Sequence, residues 1–400
     1  MRRYITAVLI LALALPCSAG AQWYLFPGCR PAADSVAVTT ASQDSVATAA
    51  MKETVSETVT DSTANVRPVF EDTRVTRVSL ILPLKSTDTP NSNFLDFYCG
   101  ALAAADALSS GEQRFKIDVY DSTLGLPSQW QLEDSELVIG PVGLEEMEIM
   151  VPRMNGKYLV SPLDPKVSAL TDRFNVIQAP SGWESQADEL VRWLGEDLHD
   201  GDQVVLLQGS EEADGELASR LAELLGDKGI AYVVSPSPAS FEEGVNGCCR
   251  FVVASDNDEF CGAAVREIAL MNLKGGDNAV YSTSRLRGAG DLEVESLHAA
   301  AAHITASYYA DPEDPEVRRF AEKYRTLFKG DPGQWAFQGY DLMSYFGRLA
   351  AQNPGFWAEE LAATPGQGLQ TDFSFDAIGK NNTAVRRLQY NDNNTISVIK

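Results

Sequence analysis

The stretch ELVIGPVGLEE, residues 136–146, runs from three apolar residues into Gly140-Pro141 and then into an acidic helix start. Consecutive apolar strand residues belong to a sheet covered on both faces, and the Gly-Pro pair ends the strand. Glu145 and Glu146 then sit where a helix N-terminus favours negative charge. A strand that hands over to a helix through a glycine turn is the α/β unit, and such sheets hold ligands at the carboxyl ends of their strands. The loop after Ile139 is therefore the rim of a site, or simply a turn. No G-x-x-x-x-G-K-[ST] follows, so it is not a phosphate loop.

The same alternation continues on both sides. VSLILPL, FKIDVYDS, LVIGPV, KYLVSPL and FNVIQAP read as strands, and FLDFYCGALAAADAL and LEEMEIMVPRM as helices. In the first helix Phe94, Phe97, Tyr98, Ala101, Leu102 and Ala105 share one face. A second set follows from Trp183. Helix WESQADELVRWLGEDL turns Leu190, Val191, Leu194 and Leu198 inward, and ADGELASRLAELLGDKG is a helix closed by Gly226 and Gly229. QVVLLQGS is a strand, AYVVSPS, RFVVAS, CGAAVREIALM and NAVYSTS continue the alternation, and near Ala301 a third block begins with HITASYY. Asp314 as N-cap and Pro315 at the first position open another helix, with Val317, Phe320, Tyr324, Leu327 and Phe328 inward and Gly330 at its end. The C-terminal stretch from Thr371 reads as β-strands joined by Asn/Gly turns. About 325 residues in two α/β sets exceed one comfortable core, so two lobes with a cleft between them are expected.

The first 74 residues have a different texture. MRRYITAVLILALALPCSAGAQ has the charged, apolar and small-residue parts of an export signal, with cleavage expected after Ala21. Its apolar run is too short to span a bilayer. Cys17 offers a lipid-attachment alternative, but Pro16 before it fits that poorly. Next come an aromatic patch, QWYLFPGC, and a Ser/Thr/Ala-rich tether reaching residue 74, with too little apolar surface to offset chain entropy. The expected location is the periplasm or cell envelope, and the chain is not expected to be an integral membrane protein. Formal charge is −24, from 32 basic against 56 acidic residues, which argues against a nucleic-acid partner. Of the six cysteines, one leaves with the signal. Cys248 and Cys249 cannot easily bond each other, but either lies one strand-to-helix step from Cys261. No C-x-x-C occurs, so neither zinc nor thioredoxin-type chemistry is expected.

The order and wording of eight segments resemble the type I periplasmic binding proteins, the leucine-binding protein family. They are VSLILPL (78–84), FYCGALAAADAL (97–108), FKIDVYDST (115–123), LVIGPV (137–142), KYLVSPL (157–163), FNVIQAP (174–180), FAEKYRTLFKGDP (320–332) and QGYDLM (338–343). The resemblance implies a two-lobed α/β fold of mainly parallel sheets flanked by helices. It places lobe I at about 75–180 and 304–351, and lobe II at about 181–303 and 352–400. It also implies a small-molecule ligand held between the lobes by hinge closure, with a membrane transporter as a further partner. Amino-acid-binding relatives have a hydroxyl after the Gly-Pro, more hydroxyls after the next strand, and an acidic residue from the second lobe. Here Val142-Gly143-Leu144, then Leu163 and Asp164, then YSTSRLRGAG stand at those places, which weakens the amino-acid reading. By strand-end position the candidate ligand contacts are Ser161, Gln208, Ser210, Ser284 and Arg285. Some outer-membrane activators of peptidoglycan synthases resemble the same fold, so an envelope protein is the alternative partner.

Catalysis has less support. His298 and His303 would stand roughly 140° apart on a helix and would not share a metal. His199 lies in a turn, and LLQGSEE lacks the second glycine of a nucleophile elbow. A hydrolase would need an acid–base or nucleophile pair that the sequence does not display. No catalytic residue, cofactor or metal ligand is assigned. Tyr308, Tyr309, Trp335 and Tyr340 are aromatic candidates for lining the cleft, against a core role for each.

Overall fold

The computed structural model describes residues 74–110, 112–209, 215–241, 248–290 and 292–399. The expected signal, aromatic patch and tether, and Ser210, lie outside these residues.

The central apolar runs become strands whose side chains are covered on both faces, while the edge strands Gln113–Asp121 and Tyr232–Ser235 stay partly exposed. The first sheet contains β1 (Arg74–Leu82), β2 (Gln113–Asp121), β3 (Leu137–Ile139), β4 (Leu159–Ser161) and β5 (Val176–Gln178), all parallel, in the order β2-β1-β3-β4-β5. On one face it is packed by α1 (Ser92–Leu108) and on the other by α2 (Leu144–Met150) and α3 (Ser168–Thr171). In the second sheet β6 (Gln203–Leu207), β7 (Tyr232–Ser235), β8 (Cys249–Val253), β9 (Ala279–Thr283) and β10 (His303–Ala306) are parallel. The hairpin of β11 (Arg386–Tyr390) and β12 (Ile396–Ile399) adds antiparallel to β10, giving β12-β11-β10-β9-β8-β6-β7. Helices α4 (Trp183–Asp197) and α5 (Gly215–Asp227) cover one face of this sheet, and α6 (Asp258–Leu273) and α7 (Val294–Ala299) the other. Finally α8 (Pro315–Phe328) and α9 (Gln334–Gln352) return to the first lobe.

The sequence places the elements well and the lobe limits less well. β10 pairs with β9 and β11, so Ile304 belongs to the second sheet and the chain crosses after Ala306. After α9, Trp357, Leu361, Phe373 and Phe375 are buried in the first lobe's core, so only the β11–β12 hairpin joins the second lobe. His298 lies in the last turn of α7 while His303 starts β10, so the two are not on one helix at all. Each is buried with its Nδ1 2.8 Å from a backbone carbonyl, of Asn391 and Ala301 respectively. Among the described residues Cys248, Cys249 and Cys261 form no disulfide. Cys248 donates to Asp277, and Cys261 to the Ser255 carbonyl. The helix begun at Asp314 ends at Lys329, not Gly330: the lysine itself adopts φ 61°.

Two contacts hold the first lobe. Helices α1 and α9 meet backbone to backbone, because neither Gly100 nor Gly339 carries a side chain. A Cβ on Gly339 would lie 2.0 Å from the Phe97 carbonyl oxygen, and one on Gly100 1.9 Å from that of Ala336. The second contact is Asp341 on α9, 1% exposed. Its Oδ1 accepts the Leu369 N–H at 2.7 Å, and its Oδ2 accepts those of Gln370 and Thr371 at 2.8 and 2.9 Å. Burial pushes its pKa up to about 6, against the three N–H donors and the charge of Arg386, which favour the ionised form.

Three crossovers join the lobes, at residues 180–182, 307–310 and 383–385. They are tied side by side. Gln178 N–H donates to the Lys380 carbonyl at 2.7 Å, Asn382 N–H to the Gln178 carbonyl at 3.0 Å, and Tyr309 N–H to the Gln370 carbonyl at 2.9 Å. Arg386 reaches the Leu369 and Gly368 carbonyls at 3.0 and 2.7 Å, and also pairs with Asp372.

Gly339→Ala is expected to lower the urea or thermal midpoint, with overpacking costing about 1–3 kcal/mol or more because the obstacle is backbone. Gly226→Ala, within α5 and with nothing within 4 Å of the added carbon, should be neutral or stabilising by roughly 0.5–1 kcal/mol. For Asp341 the native pKa lies above the unfolded one. Between about pH 4 and 6 the native state therefore holds a proton that the unfolded chain has lost. Its contribution to stability falls as pH rises through that window, by at most roughly 1.4 kcal/mol per unit. Urea unfolding of wild type and Asp341→Asn at pH 4 and 7 should show wild type losing ground relative to the variant at pH 7.

Candidate functional site

A cavity of about 400 Å³ lies between the lobes. Its first wall contains Leu163 and Pro165 from beyond β4, Gln334, Trp335 and Gln338 from the start of α9, and Gln370 from the returning segment. Its second wall contains Trp183 and Gln186 from the start of α4, Ser284 and Arg285 after β9, and Ser307 and Tyr308 after β10. Pro180 and Ser181 of the first crossover complete it. Every one of these positions follows a strand's carboxyl end, begins a helix, or belongs to a segment crossing near the hinge. That is where parallel α/β lobes facing each other leave space.

Most polar groups in the walls answer one another. On the second wall Gln186 Oε1 accepts the Ser284 N–H at 3.1 Å, and its Nε2 donates to Ser307 Oγ at 3.0 Å. The Ser181 hydroxyl donates to Ser307 Oγ, which donates in turn to the Ser181 carbonyl, both at 2.8 Å. On the first wall Gln338 Nε2 donates to the Pro162 carbonyl at 3.1 Å. Its Oε1 accepts from Thr371 Oγ1 at 2.8 Å and from Gln370 Nε2 at 3.0 Å. Gln370 Nε2 also donates to the Gln334 carbonyl at 3.0 Å. Arg285, about half exposed, is ion-paired with Asp256. Burial disfavours its charged form, and the nearby Glu216 opposes that effect. Among the described lining residues there is no aspartate or glutamate.

Of the sequence candidates, Ser284 and Arg285 line the cavity, as do the aromatic candidates Tyr308 and Trp335. Ser161 does not. It is the last residue of β4, 0% exposed, and the chain reaches the cavity only at Leu163. Gln208 is also elsewhere, because β8 separates β6 from β9 and the cavity draws on the ends of β9 and β10. Tyr309 and Tyr340 pack with the cores. Sequence reasoning missed Trp183, Gln186, Gln338 and Gln370. The first three stand at the starts of the two helices entered next to the hinge, a usable signal; Gln370 lies in a segment with no periodicity to read.

The loop after Ile139 is closed by its own chain. Gly140 has φ +95°, and a Cβ there would sit 2.2 Å from the Ile81 carbonyl oxygen, so glycine alone fits. The Leu144 N–H at the start of α2 donates to Asp164 Oδ2 at 3.2 Å, and the Lys166 N–H to Oδ1 at 3.0 Å. A carboxylate of the protein thus holds the turn together. Among the described residues no group of three or more His, Cys, Asp or Glu could hold a metal, and no helix is long and apolar enough to cross a membrane.

No protein-family model and no curated protein matches the chain. Solved structures do. A putative branched-chain amino acid ABC transporter protein from Rhodospirillum rubrum is 15% identical with a TM-score of 0.59, over 82% of this chain and 100% of that one. An ABC transporter substrate-binding protein from Desulfitobacterium hafniense, in complex with Leu, is 14% identical with a TM-score of 0.51, again over 82% and 100%. The C-domain of LpoA (YraM) from Haemophilus influenzae, a regulator of PBP1A, is 15% identical with a TM-score of 0.50, over 81% and 100%. At such identities the likeness concerns the fold. Two mainly parallel sheets flanked by helices, three crossovers and a cavity between the lobes give the chain the type I periplasmic binding protein fold, as the leucine-binding proteins have it.

Proposed function

We propose that the chain is a non-catalytic, exported binding protein that takes a small ligand between its lobes and closes on it by bending at the three crossovers. The observation that carries this reading is the cavity itself. It is walled by both lobes, with Trp335 from one and Trp183 from the other, and its volume lies within the range usual for small-molecule sites. A ligand touching both walls favours the closed arrangement over any other, so binding and closure are one equilibrium. Ser284 and Arg285 support a polar or anionic group on the ligand, although the Asp256 partner tempers the charge of Arg285.

A second reading, an envelope interaction protein that acts through partner contacts, draws on a specific observation. Leu163 projects into the cavity and Asp164 caps α2, at places where amino-acid-binding relatives are expected to offer hydroxyls.

A thermal-shift screen of the mature chain separates the two. A solute present at 100 times its dissociation constant should add about 2.7 kcal/mol and raise the midpoint by several degrees. Trp335→Ala should weaken that solute by about tenfold or more, through lost aromatic burial. No shift from amino acids, sugars, dicarboxylates, nucleosides, aromatic acids or peptidoglycan fragments would remove the solute-binding reading and leave the interaction reading standing.

A further inference from the structure

The first lobe has a second concavity, of about 330 Å³, bordered by the turns that lead into β3 and β4. It therefore lies toward the starts of the strands, while the cavity between the lobes lies beyond their carboxyl ends. Trp130 stands at its rim and is 75% exposed, although tryptophan is mostly buried in folded chains. The turn that displays it is fixed. The Ser128 N–H and hydroxyl both donate to Gln131 Oε1, at 2.9 and 2.8 Å, and the Tyr120 hydroxyl donates to the Gln131 carbonyl at 3.0 Å. The Gln131 and Leu132 N–H groups donate to the Ser128 and Gln129 carbonyls, both at 3.1 Å. The rim at Asn155 is fixed as well. That residue takes φ 48°, the Lys157 N–H donates to the Met154 carbonyl at 3.0 Å, and Asn175 Nδ2 donates to the Gly156 carbonyl at 2.7 Å. Leu132 and Met154 line the concavity and are buried in the lobe's core. A large ring held out in water on a rigid turn, beside a preformed hollow, is the arrangement of a ligand platform.

The polar groups beside the ring suit hydroxyls better than ions. Lys157 Nζ donates to the carbonyls of Leu132 at 3.2 Å, Ser135 at 2.9 Å and Glu133, which uses all three of its donors. Arg153 Nη1 donates to the Leu126 and Pro127 carbonyls at 3.1 and 3.0 Å. These two cations hold the wall together, and their charge opposes a cationic ligand, while Glu133 at the rim opposes an anion. Gln129, Glu133 and Asn155 are exposed, and their side chains make no hydrogen bond or ion pair with another described residue. Two amides that donate and accept, one carboxylate that accepts, and one aromatic face are what remain for a ligand. A pyranose ring matches that set. Its C–H groups gather on a face that is drawn to the negative face of an indole, and its hydroxyls project sideways to amides and carboxylate. We propose that this concavity is a carbohydrate site, taking a pyranose with its C–H face on Trp130 and its hydroxyls on Gln129, Glu133 and Asn155. It uses no residue of the cavity between the lobes and is independent of whether that cavity takes a solute.

The test is calorimetric titration of the mature chain with glucose, N-acetylglucosamine, cellotetraose, maltotetraose and chitotetraose, and with sorbitol, which has the hydroxyls but no ring face. At least one pyranose is expected to bind and sorbitol is not. A tetrasaccharide that binds more tightly than its monosaccharide identifies a glycan chain as the ligand, and equal binding identifies the free sugar. Trp130→Ala, with its fold checked by its melting curve, should weaken binding at least tenfold, and Trp130→Phe, which keeps a ring, less. Glu133→Ala should weaken it severalfold, and Trp335→Ala should not weaken it. Binding lost in Trp335→Ala but kept in Trp130→Ala moves the sugar to the cavity between the lobes, which overturns this proposal and supports solute binding there. Silence from every pyranose, or equal binding of sorbitol, overturns it and leaves the reading of the cavity to its own screen. Sedimentation of the chain at rising concentration supplies the last arm: self-association that Trp130→Ala abolishes, with no sugar effect, assigns the ring to a protein contact and overturns the carbohydrate site.

Discussion

The cavity's first wall depends on one buried carboxylate. Asp341 projects from α9, the helix whose opening turns carry Gln334, Trp335 and Gln338, and it grips three successive backbone N–H groups of residues 369–371. Two segments distant along the chain are thereby held in one geometry. Arg386 then ties the same returning segment to the second lobe's hairpin through the Leu369 and Gly368 carbonyls and Asp372. Burying a carboxylate is expensive, and the raised pKa of Asp341 expresses that cost. What offsets it is a set of donors that would otherwise be unpaired in the interior.

The position of α9 is set in turn by the glycine contacts with α1. Where two helices cross with a carbonyl oxygen in the place a Cβ would take, their axes approach closely and their relative rotation has little freedom. The start of α9 is therefore delivered to the cavity as a rigid edge. On the other wall the polar groups do the equivalent work: Gln186 bridges α4, the turn after β9 and the turn after β10, and the Ser181–Ser307 pair stitches two crossovers together. Sites built on packed elements hold their geometry better than sites on loops.

This economy of partners gives the cavity its character. Nearly every polar side chain whose contacts are described is satisfied by a neighbour, and the cavity presents aromatic rings and a small number of fixed dipoles. The turn at Gly140-Pro141, which relatives of this fold are expected to use for an amino acid's carboxylate, is here occupied by Asp164. The fold is shared with proteins that bind leucine, but the chemistry presented at the strand ends is this chain's own.

The strands and helices were legible because they are local. Apolar runs such as VVLL in β6 and the spacing of Leu190, Val191 and Leu194 in α4 report burial wherever the element ends up. Glycine and capping residues marked their ends to within a residue or so, as at Asp314 and Lys329. Position in the sheet was not legible, since HITA reads the same in either lobe. Only its pairing with β9 and β11 puts it in the second. The same limit governs the site. Ser284 and Arg285 line the cavity because they follow a strand that borders the hinge, while Ser161 and Gln208, also at strand ends, are not among its lining residues. Sequence by itself determined which segments are strands and helices, that two α/β sets exist, and that the amino-acid-binding hydroxyls are missing. Tertiary structure decided which strand ends meet, and with them Gln186, Gln338 and Gln370, because hydrogen bonds between residues 32 to 176 positions apart leave no periodic trace in the chain.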